Sequence, residues 1–212
     1  MYRPRHFDID DPSTLSDFMR QQSFALLISN VDGVPFANHI PLLLDDSSED
    51  GEQGRLLGHL AKANEQWQGF DGETEALMVF WGPHAYISPN WYESEKMVPT
   101  WNYVTVHAYG KPKIISDPAG AADAIGRLAD SYESDATGNW SMDVLPDEFV
   151  GKQLKGIVAF EIPIDRVQGK FKLSQNRQLE DRRGAIQGLR ETGDAEAEEV
   201  ARLMADILPA DD

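Results

Sequence analysis

Residues 24–44 place one apolar run, FALLISN, and a second, VPFANHIPLLL, on either side of Val-Asp-Gly. An Asp-Gly pair between two such runs is the pattern of a tight β-hairpin, because both central residues of that turn need positive φ. Pro41 in the second run removes a ladder donor, so this strand is expected at a sheet edge or a bulge. Such a hairpin directs the chain towards antiparallel sheet. Neither G-x-G-x-x-G nor G-x-x-x-x-G-K-[ST] occurs in the 212 residues, which disfavours a doubly wound nucleotide fold.

The remaining segments extend that pattern. DPSTLSDFMRQQ (11–22) carries Leu15, Phe18 and Met19 at helical spacing and is expected to lie on a sheet. DDSSEDGEQG (45–54) is expected as a solvated acidic loop, followed by a short strand RLLGHL and a helix beginning near Ala61. ALMVFW (76–81) has the composition of a buried strand, TWNYVTVHAYGKPKII (100–115) that of a long one, and residues 82–100 are expected to intervene as a motif-rich connection. DPAGAADAIGRLADSYE is expected as a helix and KGIVAFEI (155–162) as a further strand. The last fifty residues suggest a basic loop and two polar helices, with Ala195, Val200, Leu203, Met204 and Ile207 as an apolar stripe. The expected class is therefore mainly β with added helices, an antiparallel barrel or sandwich. No repeat or long linker divides it: residues 1–165 form the main domain, and 166–212 pack on that same domain.

Charge and composition exclude several functions. Thirty-six acids against 19 Lys and Arg give a net charge of −17, which opposes non-specific attraction to DNA or simply keeps the surface solvated. With no cysteine, disulfides, thiolate metal sites and cysteine nucleophiles are ruled out. No apolar run is long enough to cross a bilayer, and MYRPRHFDIDD has charge and proline where an export signal needs an apolar stretch. A cytoplasmic protein with no membrane association is expected. The five histidines show no helical metal spacing, and neither Ser88 nor Ser174 sits in a nucleophile elbow, so no metal site is expected.

Three features point towards an anionic ligand with a flat ring. RVQGKFKLSQNR (166–177) carries four cations and no acid, which implies either a shared anion or pairing with acids elsewhere in this chain or a partner. Lys62 in GHLAKANEQW, at an expected strand-to-helix junction, is either part of a phosphate cradle or an ordinary surface lysine. ISPNWYESEKMVPTWNY (87–103) gathers Trp91, Tyr92, Trp101 and Tyr103, suited equally to a core, a dimer interface or the wall of a ring pocket. Together they fit flavin mononucleotide (FMN).

MYRPRHF, GHLAKAN, GPHAYISPNWY, VPTWNYVTVHAYG and GKFKLSQNR, in that order, resemble the PaiB family of FMN-binding negative transcriptional regulators, from residue 1 to about 190. That family resembles the wider group of split-barrel flavoproteins related to pyridoxamine-phosphate oxidases. The resemblance implies an FMN-binding split β-barrel and a homodimer with FMN at the interface. It further implies cofactor contacts from His39, Ile40, Pro41, Leu42, His59, Lys62, Trp101, Asn102, Thr105, Lys172, Ser174, Gln175 and Arg177. His39 stands where the oxidase-like relatives carry a phosphate-binding arginine, a departure from their pattern. Trp91 and Tyr92 are expected to pack across the dimer. The implied function is a transcriptional or metabolic regulator acting with a protein partner or DNA. The alternatives are a flavin-dependent oxidoreductase using NAD(P)H or a small reduced substrate, and a haem-binding split-barrel protein.

Overall fold

The structure, a computed structural model, describes residues 1–46 and 53–209. Its chain-order elements are β1 (Asp8–Ile9), α1 (Pro12–Gln21), β2 (Phe24–Val31), β3 (Val34–Pro41), β4 (Leu43–Asp45), β5 (Arg55–Ala61), β6 (Ala76–Ile87) and β7 (Thr100–Gly110). They continue as β8 (Lys113–Ile114), α2 (Pro118–Asp130), α3 (Asp147–Leu154), β9 (Ile157–Lys172), α4 (Leu179–Glu191) and α5 (Ala195–Asp206). The fold is mainly antiparallel sheet with five helices among the described residues. Hydrogen-bonded neighbours follow the order β3-β2-β6-β7-β9-β5-β4, with β1 and β8 also on β9.

The hairpin forms as expected. Asp32 and Gly33 both take positive φ, 52° and 81°, and β2 pairs with β3 from Phe24↔Pro41 to Val31↔Val34. Pro41 closes an edge strand, where its missing N–H leaves no central ladder bond unmade. Helix α1 buries Leu15, Phe18 and Met19, the apolar stripe of its spacing.

Two compact units can be distinguished. One comprises Pro12–Phe80 and His107–Val167, the other Met1–Asp11, Trp81–Val106 and Gln168–Asp212, so β6, β7 and β9 each contribute a segment to both. In the first unit, Leu27, Leu56, Met78, Phe80 and Phe160 are fully buried, and Phe70 meets Phe160 edge-to-face at 5.1 Å. Gln66, also fully buried, donates to Leu27 O at 3.1 Å, Ser29 Oγ at 3.1 Å and Phe36 O at 3.2 Å, while its Oε1 accepts from Asn38 at 2.7 Å. Its amide thus stitches a short 3-10 turn to the hairpin. In the second unit, Val200, Ala201 and Met204 of α5 and Leu189 of α4 are buried. Ile207, expected in the apolar stripe, is exposed because α5 ends at Asp206.

Four segments differ from expectation. Strand β6 does not stop at Trp81 but runs through GPHAYI to Ile87, and β9 runs to Lys172, so Arg166–Lys172 is strand where a basic loop was expected. No helix begins at Ala61. Asn64 instead caps a five-residue 3-10 turn, Glu65–Gly69, accepting from Gln66 N at 2.9 Å. Of the expected acidic loop, residues 47–52 lie outside the described residues, and Asp45 belongs to β4 and is buried.

Asp45 is held by two arginines, Arg55 Nη2 at 3.0 Å and Arg127 Nη2 at 2.8 Å, and Arg55 also reaches Glu161 at 2.7 Å. A carboxylate removed from water needs such charged donors. Asp45→Ala leaves two arginines crowded without their shared anion, and both still reach solvent. Urea unfolding is therefore expected to show a loss of about 2–3 kcal/mol, whereas Asp46→Ala, on the exposed side, should change stability by less than about 0.5 kcal/mol.

Candidate functional site

In β7 the core-facing positions are Asn102, Val104, Val106, Ala108 and Gly110, all buried, so period-two alternation puts Trp101, Tyr103 and Thr105 on the opposite face. Trp101 is 53% exposed and Thr105 is buried. In β6 the alternation slips by one residue across Gly82 and Pro83, which brings both Trp81 and His84 to the exposed side. Trp81 stacks on Tyr103 with centroids 6.3 Å apart and planes within 2°. His84 lies 6.0 Å from Trp101, and Tyr86 meets Trp101 edge-on at 6.0 Å. These five side chains form an aromatic surface built on two strands.

Within it, the Nδ1 of His84 lies 3.1 Å from the Trp81 indole N–H and 2.6 Å from Glu196 Oε1. An Nδ1 without hydrogen accepts from the indole, whereas an Nδ1–H donates to the carboxylate. One nitrogen cannot do both, so the tautomer decides which partner it takes.

Positive charge borders the aromatic surface. Lys170 and Lys172 sit two residues apart on β9, hence on one face of the strand. The Lys170 ammonium lies 5.2 Å from the Tyr103 ring centre and 5.5 Å from that of Tyr2. Lys172 donates to Thr100 Oγ1 at 2.6 Å and to the carbonyl of Trp101, both neutral acceptors. Burial pushes the Lys172 ammonium below the usual lysine value, and the neighbouring charges of Lys170 and Arg177 push it further the same way. Neither lysine has a carboxylate partner among the described residues.

Beyond β9, Ser174 takes a positive φ of 63° and is buried with Asn102, which donates to its Oγ at 2.9 Å and to Met204 Sδ at 3.3 Å. Gln175 folds back on its own turn, donating to Phe171 O at 2.6 Å and accepting from Leu173 N at 2.8 Å. Arg177 lies over Tyr92 at 5.7 Å. Asn102, Ser174 and Gln175 therefore shape the backbone, while Lys172 and Trp101 present groups outward.

The expected residues of the other unit are differently disposed. His39 is exposed and stacks on Phe24 at 6.1 Å; Ile40 and Leu42 are buried and Pro41 half-buried. A Cβ on Gly58 would come within 2.8 Å of Leu42 and 2.9 Å of Phe160, so glycine lets these two side chains close over the strand. His59 is half-buried, and its Nδ1 has no hydrogen-bond partner among the described residues. Burial lowers the His59 pKa, so the ring is held neutral and able to accept. Lys62 is exposed, its N–H bonded to Gly156 O at 2.8 Å.

Trp91, expected to pack across a dimer, is half-buried and packs against α4 of its own chain. A Cβ at Gly188 would meet the Trp91 ring at 2.4 Å, and one at Gly184 would meet the Trp91 carbonyl at 2.1 Å. The two glycines, four residues apart on α4, make the groove that seats this tryptophan. Tyr92 is also buried, its hydroxyl without a partner among the described residues. Sequence reasoning missed Trp81, His84 and Tyr86. The signal was available in WGPHAY, whose Gly-Pro marks the slip that turns three ring-bearing residues to one side.

Asp181 was also missed. It anchors the 87–103 segment by accepting from Ser94 N at 2.9 Å and Ser94 Oγ at 2.7 Å. Beside this anchor lies a polar cavity of about 410 Å³ lined by His6, Met97, Gln175, Asn176 and Arg177 among others. Among the described residues no helix is long and apolar enough to cross a membrane.

The chain is similar to several known proteins. The family model described as "Putative FMN-binding domain" matches residues 1–166. "Protease synthase and sporulation protein PAI 2" of Bacillus subtilis (strain 168) is 34% identical over 208 residues, 98% of each chain. Among solved structures, the flavocytochrome Anf3 from Azotobacter vinelandii matches with a TM-score of 0.62 at 16% identity, over 81% of this chain and 72% of that one. The FAD and heme binding protein from Mycobacterium smegmatis matches with a TM-score of 0.58 at 16% identity, over 78% and 73%. At that identity the structural likeness is one of fold, the split barrel.

Burial alone would raise the Asp181 pKa, but the hydrogen bonds from Ser94 outweigh it and the net shift is downward. A carboxylate with a depressed folded-state pKa adds stability that is present above its ordinary value and lost as pH falls through the folded one. Unfolding midpoints measured from pH 6 down to 2 should therefore decline less steeply below about pH 4 in Asp181→Asn than in the parent. An identical slope in the two proteins would remove Asp181 from this role.

Proposed function

Because this chain belongs to the PaiB-like FMN-binding family, we propose that it is an FMN-binding regulator working as a homodimer. The observation that supports the reading most directly is the juxtaposition of Lys170 and Lys172 with the open aromatic surface of Trp81, Trp101 and Tyr103. In a chain of net charge −17, two neighbouring ammoniums without carboxylate partners are a costly arrangement until an anion joins them. Exposed flat rings beside them suit a flat ring system.

The residues present fit the cofactor. Lys172, with Lys170 and Arg177 nearby, would bind phosphate, and Trp101 with Thr105 on the same face would lie towards the ring. Asn102, Ser174 and Gln175 hold the turn that carries these groups. In the other unit His39, Ile40, Pro41, Leu42, His59 and Lys62 form a second set, with the unpartnered Nδ1 of His59 as its available acceptor. When bound, the flavin supplies electron-transfer chemistry that no side chain here offers. In this reading the exposed rings of Trp81, Tyr86 and Trp101 are also the surface that a second copy of the chain would cover.

Regulation, in this reading, passes through a partner protein or a metabolite and not through non-specific phosphate contacts. The descriptions of flavocytochrome and haem-binding relatives by fold keep redox chemistry within reach of the same scaffold, and the spectrum below separates the two.

Titration of FMN into the purified protein should give a shifted and structured flavin absorption band. Trp101→Ala and Lys172→Ala should each weaken FMN binding by about tenfold or more with unchanged melting. Lys62→Ala tests the second set separately. Raising pH towards the depressed titration of Lys172 should weaken binding earlier than an ordinary lysine would. Failure to bind FMN at all overturns the flavin reading, and bleaching of bound flavin by NADH or NADPH replaces the regulator with an oxidoreductase. A gel-shift titration at physiological salt should show no retardation of duplex DNA by this protein alone; a specific shift would return DNA to the list of direct partners.

A further inference from the structure

A second site lies in the Pro12–Phe80 and His107–Val167 unit. Helices α2 and α3 leave an open cleft of about 550 Å³ beside β8 and β9. Its walls are aliphatic: Ile115, Leu154, Ile157 and Val158 are half-buried and Ile114 is 38% exposed, with Ala121 and Gly151 keeping the helical side low. These side chains extend one apolar surface without a covering element among the described residues.

The end of the cleft is cationic for a structural reason. The last β5 residue, Ala61, pairs with Ile157, the first of β9, and the Lys62 N–H then bonds to Gly156 O at 2.8 Å. Lys155 directly precedes that glycine, at the end of α3. The pairing therefore fixes two lysines at one end of an aliphatic trough. Both are exposed, and neither has a carboxylate partner among the described residues, although acids outnumber bases 36 to 19 in the chain. Other cations of this unit do find acids, Arg55 and Arg127 on Asp45, Arg166 on Glu75 and Lys111 3.7 Å from Glu73, while Lys113 and Lys152, like Lys62 and Lys155, have none among the described residues. What sets Lys62 and Lys155 apart is their place at the end of the aliphatic trough.

We propose that this cleft binds a single-chain carboxylate, its tail along Ile115, Leu154, Ile157 and Val158 and its head shared by Lys62 and Lys155. The chemistry of each end selects the ligand. An apolar molecule leaves the ammoniums uncompensated, and a small anion leaves the trough wet, whereas an amphiphilic anion satisfies both. Lysines, as mobile point charges, suit a carboxylate that enters by its tail and settles at the mouth. Lys62 is shared with the second flavin set, so the decisive variant is at Lys155, which lies outside that set, and the measurement is made without FMN.

Isothermal titration of the full chain with decanoate, decanol, octanoate and acetate tests it. Decanoate should bind; acetate should not, and decanol should bind about tenfold more weakly or less. Octanoate, two methylenes shorter, should also be weaker by about fifteenfold if the whole chain is buried. Lys155→Glu should abolish decanoate binding while FMN affinity and melting temperature stay unchanged. Ala121→Trp, which fills the trough, should do the same; if that variant fails to fold, Lys155→Glu and the chain-length series still decide. Equal affinity for decanol and decanoate, insensitivity to Lys155→Glu, or displacement of decanoate by FMN would each overturn the assignment, the last by making the cleft part of a flavin site.

Discussion

The sixteen-residue strand β9 is the constraint on which the rest of the molecule depends. A strand of that length presents backbone N–H and C=O groups along both edges, and every buried one must find a partner. Residues Ile157–Pro163 are paired by β5, Phe160 and Glu161 also by β8, and Gly169 and Lys170 by β1. The close approach of its neighbours explains Gly110, where a Cβ would lie 2.1 Å from Pro163 O. The same strand fixes the chemistry. Its period of two puts Lys170 and Lys172 on one face, so the repulsion that adds to burial in lowering the Lys172 pKa follows from extended backbone.

What could be recognised in the sequence was what local signals specify. Asp32-Gly33 dictated a turn, Asp117-Pro118 a helix start, and the 3.6-residue spacing of Leu15, Phe18 and Met19 the buried face of α1. The class, mainly antiparallel β with added helices, followed from these and is the fold found. The extents of β6 and β9 did not follow, because Pro83 and Pro163 stand inside them and proline argues against a strand interior. Asp45 appeared to belong to a solvated acidic run. Its burial depends on Arg127, which is 82 residues away and invisible to any local pattern.

The candidate site divides along the same line. Residue types were informative: the cations of 166–177 and the aromatics of 87–103 are where unpaired charge and open rings lie. Their roles depended on alternation and on distant partners. Asn102 and Trp101 are adjacent in sequence, yet one is fully buried against Ser174 and the other half in solvent. Trp91 and Trp101 share a motif, yet the first is seated by Gly184 and Gly188 on α4, a relation that spans nearly a hundred residues. Only the slip at Gly82-Pro83 offered a local cue to Trp81 and His84.

Charge pairing makes these distinctions physical. In a strongly acidic chain a cation ordinarily finds a carboxylate, as Arg3 finds Asp8 and Arg202 finds Glu199 and Asp206. An ion pair of that exposed kind contributes little and indicates no ligand. Among the lysines without a carboxylate in the described residues, four stand beside apolar surface, Lys170 and Lys172 at aromatic rings and Lys62 and Lys155 at an aliphatic trough. A lysine stem laid on apolar surface with its head in water is an ordinary arrangement. Keeping a charged head beside a flat or linear apolar surface is the arrangement that an amphiphilic anion completes, and the shape of the surface, ring or trough, is what separates one such ligand from the other.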